Sequence, residues 1–189
     1  TIYGSMLGEA GGIWSSSLAH YWSTSALTSI LKKYPQVMVF GGHLHFPLND
    51  PRSVWMGDFT VFGCASVRYM AIENGGYQEM KSATVMKDCE QFSQGNLLQF
   101  DYSGNFRVLR MDFHNNAVIG EAVKSDYPAA DKTHLEKYNH DHLALANGAP
   151  ELSSLETQSD SEGNVTAVWA AGTDDEFVHH YVLTLKQDG

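Results

Sequence analysis

The chain is poor in basic residues and in long apolar runs. Only 12 Lys and Arg stand against 22 Asp and Glu among 189 residues, so the formal net charge is −10. A surface that binds nucleic acid needs clustered cations for its phosphate contacts, and we therefore expect no nucleic-acid interface. No run approaches the roughly 18 apolar residues of a membrane-spanning helix, so we expect no membrane segment.

The chain also contains little cysteine. Cys64 and Cys89 are the two in the chain, which is too few for a disulfide scaffold, and their spacing is not that of a metal site. Cys64 lies in the strand-like stretch V-F-G-C-A-S-V, so we expect a reduced thiol in the core. The redox compartment stays open.

One segment has helical periodicity. Within residues 23–33, the apolar positions Ala26, Leu27, Ile30 and Leu31 fall on one face of a helix. Serine and threonine at the start of the segment can cap it, and two lysines at its end suit the negative pole of the helix dipole. The pattern predicts a helix over residues 23–33.

The next segment ends in two histidines. Residues 37–40 read V-M-V-F, a continuous apolar run typical of a strand buried on both faces. Gly41 and Gly42 then permit a tight turn. His43 and His45 follow at the carboxyl end of the predicted strand, where ligands bind in α/β layers. Imidazole commonly binds zinc, iron and manganese. The two histidines would share a face in an extended segment, or straddle two adjacent ions in a loop.

A longer string carries a family resemblance. Residues 34–53, Y-P-Q-V-M-V-F-G-G-H-L-H-F-P-L-N-D-P-R-S, resemble the closing G-H-x-H block of the calcineurin-like metallophosphoesterases. The continuation through P-L-N-D-P-R-S, with D-F-T at residues 58–60, is similar to a bacterial subgroup of that family. The resemblance implies that His43 and His45 each bind one of two divalent ions (Mn, Fe or Zn). Such a centre polarises a phosphate mono- or diester for in-line attack by water.

The other ligand blocks of that family do not precede His43. The family places D-x-H, G-D-x-x-D, G-N-H-E/D and a lone histidine before G-H-x-H. We therefore expect residues 1–124 to be the C-terminal portion of a metallophosphoesterase domain, whose partner is the missing N-terminal part of the same enzyme. The chain alone is then expected to be inactive. The alternative is a non-catalytic β-rich binding or structural module.

Several motifs imitate metal-ligand blocks. Residues 112–114 spell D-x-H and residues 139–141 spell N-H-D, but both follow G-H-x-H, and the neighbours that complete each block are absent. We interpret Asp112 as a strand residue. His20 is interpreted as a partly buried or substrate-side histidine. Gly57 and Asp58 lie in the strand-like V-W-M-G-D-F-T-V-F.

After His45, short aromatic and β-branched runs alternate with turn residues. Y-S-G-N at residues 102–105 predicts a hairpin turn. Leu98, Phe100 and Tyr102 are predicted to share a buried face. The predicted strands cover residues 54–62, 66–72, 82–86, 95–102 and 106–113.

The last third of the chain has two parts. Residues 125–149 are polar and punctuated by Pro and Gly, which predicts a connector. Residues 150–189 resemble the opening strands of a fibronectin type III-like module, with two strands around D-D-E and with Trp169 and Tyr181 as core aromatics. His179 and His180 would face opposite sides of a strand. The predicted fold is α+β and mostly β: a partial calcineurin-like two-sheet sandwich (α/β/β/α type) with an incomplete β-sandwich appendage.

Overall fold

The structure is a computed structural model, which describes residues 25–42, 45–74, 82–125, 148–174, 178 and 181–186. The chain forms two compact units, Thr1–Leu145 and Ala146–Gly189. Strand residues far outnumber helical ones in the described ranges, so the predicted α+β, mostly β class is confirmed. No helix in those ranges is both long and apolar enough to span a membrane.

The described ranges contain one α-helix, α1 (Ser25–Leu31), and short 3-10 helices at Pro51–Ser53 and Cys89–Gln91. The strands in the same ranges are β1 (Met38–Gly41), β2 (Val54–Met56), β3 (Thr60–Gly63), β4 (Ala71–Asn74), β5 (Ser82–Val85), β6 (Gln94–Phe100), β7 (Phe106–Asp112), β8 (Ala117–Ser125), β9 (Leu155–Ser159) and β10 (Val165–Trp169).

The described part of the first unit contains two three-stranded sheets. One sheet has the order β1-β3-β2, in which β1 and β3 are parallel and β2 and β3 antiparallel. The other is the antiparallel meander β6-β7-β8. A third, two-stranded sheet pairs β4 with β5. Because β1 and β3 are parallel, their carboxyl ends lie at the same edge of the first sheet.

The first sheet is covered on both faces. On one face, Val54, Met56 and Phe62 of this sheet form a buried cluster with Val108 and Val123 of the β6-β7-β8 sheet. The opposite face carries a second buried cluster of Trp55, Phe59 and Val61. Leu31 of α1 packs against this second cluster. Successive strand residues point to opposite faces, so Val61 and Phe62 serve different clusters. The layers of the unit are therefore helix, sheet, sheet.

The predicted helix is confirmed over Ser25–Leu31, whereas residues 32–33 lie in the turn after it and residues 23–24 lie outside the described residues. Its inward face differs from the predicted one. Thr28 is buried and Leu31 packs on the second cluster, whereas Leu27 and Ile30 are exposed. Thr28 and Leu31, which are three residues apart, therefore lie on the inward side of the helix. β1 is also only half-buried over residues 38–40, although both faces of its sheet are covered, because β1 lies at the edge of the sheet in the described ranges.

Two strand predictions and one burial prediction need correction. Residues 54–62 form two strands rather than one, and Gly57 to Phe59 make the turn between them. In residues 66–72 only Ala71 and Ile72 are in a strand. Phe100 is 63 % exposed and Tyr102 fully exposed, since this end of β6 extends past the buried Val108 and Val123, so the predicted buried face is wrong beyond Leu98.

The second unit contains the antiparallel hairpin of β9 and β10. β9 escapes prediction because L-E-T-Q-S has one apolar residue. Trp169 and Tyr181 contact each other with ring centroids 5.7 Å apart. Neither is a core residue, since none of the described residues of this unit is buried. The predicted strand after D-D-E is absent from residues 181–186; His179 and His180 lie outside the described residues.

Two hairpins share a D-x-x-G-N turn. In the first, Asp101 accepts hydrogen bonds from the backbone of Ser103 and Asn105 and from the Asn105 amide. Asp160 makes the equivalent bonds with Glu162 and Asn164. Each glycine has a positive φ, 85° for Gly104 and 84° for Gly163. The predicted turn at 102–105 is thus confirmed, with Asp101 as its capping residue.

These turns predict a pH dependence. The Asn105 amide, with help from backbone N–H groups, holds the pKa of Asp101 below its ordinary value, and Asn164 does the same for Asp160. Because the pKa of each carboxyl is lowered in the folded state, its ionisation stabilises the turn fully at pH values above the ordinary carboxyl pKa. This stabilisation is lost as the pH falls through the folded pKa. We expect carboxyl ¹³C titrations to give higher midpoints for Asp101 in Asn105→Ala and for Asp160 in Asn164→Ala. Unchanged midpoints in both variants would contradict this origin.

Candidate metal centre

The candidate site lies at the shared carboxyl edge of β1 and β3. β1 ends at Gly41 and β3 at Gly63. The Cys64 N–H donates to the Gly41 carbonyl at 2.9 Å, which extends the parallel pairing by one step. Beyond this point His45 and Ala65 both adopt positive φ, 58° and 49°. Left-handed backbone in residues other than glycine is costly and clusters at functional sites.

His45 is the candidate ligand with a described position. Its side chain is half-buried. Its Nδ1 lies 3.3 Å from the Tyr69 carbonyl oxygen. A carbonyl oxygen only accepts hydrogen bonds, so Nδ1 carries the proton in this contact. The lone pair of the neutral ring is then on Nε2. Histidines that bind metals commonly donate their other ring nitrogen in this way. The donor chemistry of His45 therefore fits a divalent ion.

His43, the second predicted ligand, lies outside the described residues, as does Leu44. No group of three or more His, Cys, Asp or Glu side chains within the described ranges is arranged to hold a metal ion. His20 and residues 139–141 also fall outside those ranges. The described part of the site thus consists of one imidazole and the loops that hold it.

The loop after β3 holds Tyr69 against His45. The Ser66 hydroxyl accepts hydrogen bonds from the N–H groups of Arg68 at 3.1 Å and Tyr69 at 3.4 Å. The Ser66 carbonyl accepts from Gln94 N–H at 2.9 Å, and the His45 carbonyl accepts from Ala71 N–H at 3.0 Å. The Tyr69 ring stacks on the imidazole with centroids 4.2 Å apart and planes inclined by 27°. Tyr69 was not among the predicted site residues, because no short motif marks it.

The loop after His45 is fixed by a buried ion pair. Arg52 Nε donates to both carboxylate oxygens of Asp50, at 2.9 and 3.1 Å, and Arg52 Nη2 also donates to this carboxylate. The two side chains are 1 % and 2 % exposed. Asp50 also accepts the Arg52 backbone N–H at 2.9 Å, so it caps the 3-10 helix Pro51–Ser53. Asp followed by Pro is a helix-start signal, but it does not reveal the buried pair.

The second sheet completes this network. Gln94 of β6 accepts the Leu48 N–H at 2.7 Å and donates to Asn49 at 2.7 Å. Arg110 of β7 donates through Nη1 to the Leu48 carbonyl at 3.1 Å. Gly120 leaves room for Arg110, since a Cβ there would lie 2.7 Å from its Nη2. The P-L-N-D-P-R-S string therefore has a structural role in anchoring the loop that starts at His45.

Cys64 lies beside this edge but is a weak ligand candidate. It is a free, half-buried thiol just after β3, rather than inside a buried strand as predicted. Burial raises the pKa of the Cys64 thiol, and a hydrogen bond with Asn96 offsets part of the rise. Asn96 also donates to the Gly63 carbonyl at 2.8 Å. Because the thiolate is the form that binds metals, this environment disfavours ligation by Cys64.

The motifs that resemble metal-ligand blocks and lie among the described residues have structural roles. Asp112 ends β7 and accepts hydrogen bonds from the backbone and amide of Asn115, at 3.1 and 2.7 Å. Asp58 forms an exposed ion pair with Lys32 at 3.1 Å. The site that the geometry supports is therefore the edge where His45 lies.

Comparisons with known proteins gave no matching family model, no matching curated protein and no matching solved structure.

Proposed function

We propose that this chain is part of a dinuclear metal-dependent phosphoesterase that hydrolyses phosphate mono- or diesters, with His43 and His45 each binding one divalent ion. The observation that carries the proposal is the hydrogen bond from His45 Nδ1 to the Tyr69 carbonyl. This bond leaves Nε2 as the coordinating atom, at the carboxyl edge of two parallel strands.

The fold supports the proposal at a coarser level. A helix, a mixed sheet and an antiparallel sheet follow one another through the core of the first unit. This order of layers agrees with three of the four layers of an α/β/β/α sandwich. The G-H-x-H resemblance adds the link to phosphoester chemistry. The fibronectin type III-like assignment of residues 150–189 rests on the β9–β10 hairpin and the Trp169–Tyr181 contact.

The bound ions would be Mn, Fe or Zn, and would polarise the phosphoryl oxygen and the attacking water. In this chain His45 would contribute Nε2 as the donor atom, since its Nδ1 faces the Tyr69 carbonyl. The two anchored loops, residues 46–53 and 64–70, hold that donor at the sheet edge. Two imidazoles are fewer than the three or four protein ligands of a zinc-like ion. We therefore expect weak, exchangeable metal binding and no turnover by the chain alone.

Manganese titration tests the metal site. Mn²⁺ is paramagnetic and broadens the NMR signals of the nuclei beside it. At substoichiometric Mn²⁺ we expect the ring signals of His45 to broaden before those of His114, which lies exposed in the turn after β7. His45→Ala should weaken binding by at least about tenfold, because even loss of a second-shell partner costs about 10–100-fold.

The matched control is His114→Ala, which removes an imidazole from the same unit without touching the sheet edge. It should leave the Mn²⁺ affinity unchanged. The alternative function, a non-catalytic β-rich binding or structural module, predicts equal broadening of His45 and His114. Equal broadening, or unchanged affinity in His45→Ala, would overturn the proposed metal site.

A further inference from the structure

We infer that Tyr69 is a positioning residue for His45, which fixes the imidazole tautomer through its carbonyl and the ring plane through its aromatic side chain. The carbonyl accepts from His45 Nδ1 at 3.3 Å, and the two rings stack with centroids 4.2 Å apart. The two contacts constrain different degrees of freedom. The hydrogen bond selects the protonated nitrogen, and the stack restricts rotation about the bond from Cβ to the ring.

The stack matters because the hydrogen bond is directional. An N–H···O bond weakens steeply when its angle falls far from linear. A rotation of the imidazole that takes Nδ1–H well away from the carbonyl therefore weakens this bond and its selection of the tautomer. The 27° inclination keeps the imidazole close to parallel with the phenol ring. The aromatic face thus holds the ring where its Nδ1–H meets the Tyr69 carbonyl.

Tyr69 is itself held from both sides. On its N-terminal side the Ser66 hydroxyl accepts the Tyr69 N–H, and Ser66 is tied to β6 through Gln94. On its C-terminal side Met70 is fully buried, and Ala71 donates to the His45 carbonyl at 3.0 Å. The His45 backbone is therefore bonded to Ala71, two residues after Tyr69, while the His45 ring contacts Tyr69 itself. The strained φ of 58° at His45 is maintained by this closed arrangement.

The consequence for binding is preorganisation. A free imidazole exchanges its proton between the two nitrogens, and only one tautomer presents Nε2 to a metal ion. A ring already in that tautomer binds without the free-energy cost of first shifting the tautomer equilibrium. The role of Tyr69 in metal binding rests on the proposed function, whereas its effect on the tautomer does not.

The test measures the tautomer in the metal-free chain. Long-range ¹H–¹⁵N spectra at about pH 8.5, above the range in which histidine ordinarily titrates, distinguish the two nitrogens. We expect the Nδ1–H tautomer to dominate for His45 in the wild type and in Tyr69→Phe, which keeps the aromatic face. Tyr69→Ala should give a mixture of tautomers. Tyr69→Leu keeps apolar bulk without the aromatic face and replaces the alanine variant if that one unfolds.

Val67→Ala is the matched control, since Val67 lies in the same loop and is 71 % exposed. It should leave the tautomer as in the wild type. With Mn²⁺, Tyr69→Ala should lower the affinity in proportion to the loss of the Nδ1–H tautomer, about two- to fivefold, and Tyr69→Phe should not. An Nε2–H tautomer in the wild type, or an unchanged tautomer without the aromatic ring, would overturn the inference. A fixed tautomer with no preferential Mn²⁺ broadening at His45 would instead overturn the proposed function alone.

Discussion

Replacing Asp50 with asparagine is expected to lower the free energy of unfolding of the first unit by about 3–5 kcal/mol, because it leaves the Arg52 charge buried without its carboxylate. Asparagine has nearly the same shape and keeps an oxygen that accepts the Arg52 backbone N–H. The substitution therefore removes mainly the negative charge from a pair whose side chains are 1 % and 2 % exposed. Urea denaturation measures the loss.

Asp58→Asn provides a matched control. The substitution is the same, but Asp58 and Lys32 form an ion pair whose side chains are 55 % and 49 % exposed. Exposed pairs contribute only about 0–1 kcal/mol. The double variant Asp50→Asn with Arg52→Met removes both charges, and it should recover part of the stability that Asp50→Asn alone loses. Equal losses for Asp50→Asn and Asp58→Asn would contradict the buried-pair account.

Alternation of apolar residues predicts strands well where pairing is local. The runs at residues 82–86, 95–102 and 106–113 coincide closely with β5, β6 and β7. β6 and β7 are joined by a short turn whose glycine and asparagine are visible in the sequence. The same period predicts burial less well, because burial of Phe100 or Tyr102 depends on whether another layer reaches that end of the strand.

The break between β2 and β3 was missed because the run around it is apolar on both sides. Gly57 carries the break. A Cβ on this residue would lie 2.2 Å from Trp55 Cζ2, so the indole ring occupies the space beside the turn. Trp55 belongs to the second buried cluster, with Phe59 and Val61. The turn is thus selected by packing of a neighbouring side chain, which a strand pattern does not record.

The position of the candidate site was predictable from the sequence, but its contacts were not. A strand, two glycines and a histidine at its carboxyl end were predictable, and His45 follows β1 at the edge shared with β3. Its contacts were not predictable, because Tyr69 is 24 residues away and meets His45 only through tertiary structure. The Asp50–Arg52 pair was also missed, since hydrophobic periodicity registers apolar positions and not buried, paired charges. His43 remains a prediction.

The second large effect is expected at Phe62. Phe62→Ala should cost about 3–5 kcal/mol in unfolding free energy, because truncating a buried phenylalanine loses its transfer free energy and leaves a cavity. Phe62 is fully buried in the cluster between the two larger sheets. It also stacks on Phe40 with centroids 5.0 Å apart and pairs with it in the β1–β3 register. Urea denaturation again measures the change.

Phe100→Ala separates burial from residue type. It makes the same substitution in a strand of the same unit, but at a side chain that is 63 % exposed, so the loss should stay within about 0.5 kcal/mol. Similar losses for both variants would show that Phe62 is not a core residue. Phe40 and Phe62 immediately precede Gly41 and Gly63, where the strands end. Phe62→Ala should therefore also loosen the shared edge and weaken the proposed Mn²⁺ binding at His45, whereas Phe100→Ala should leave that binding unchanged.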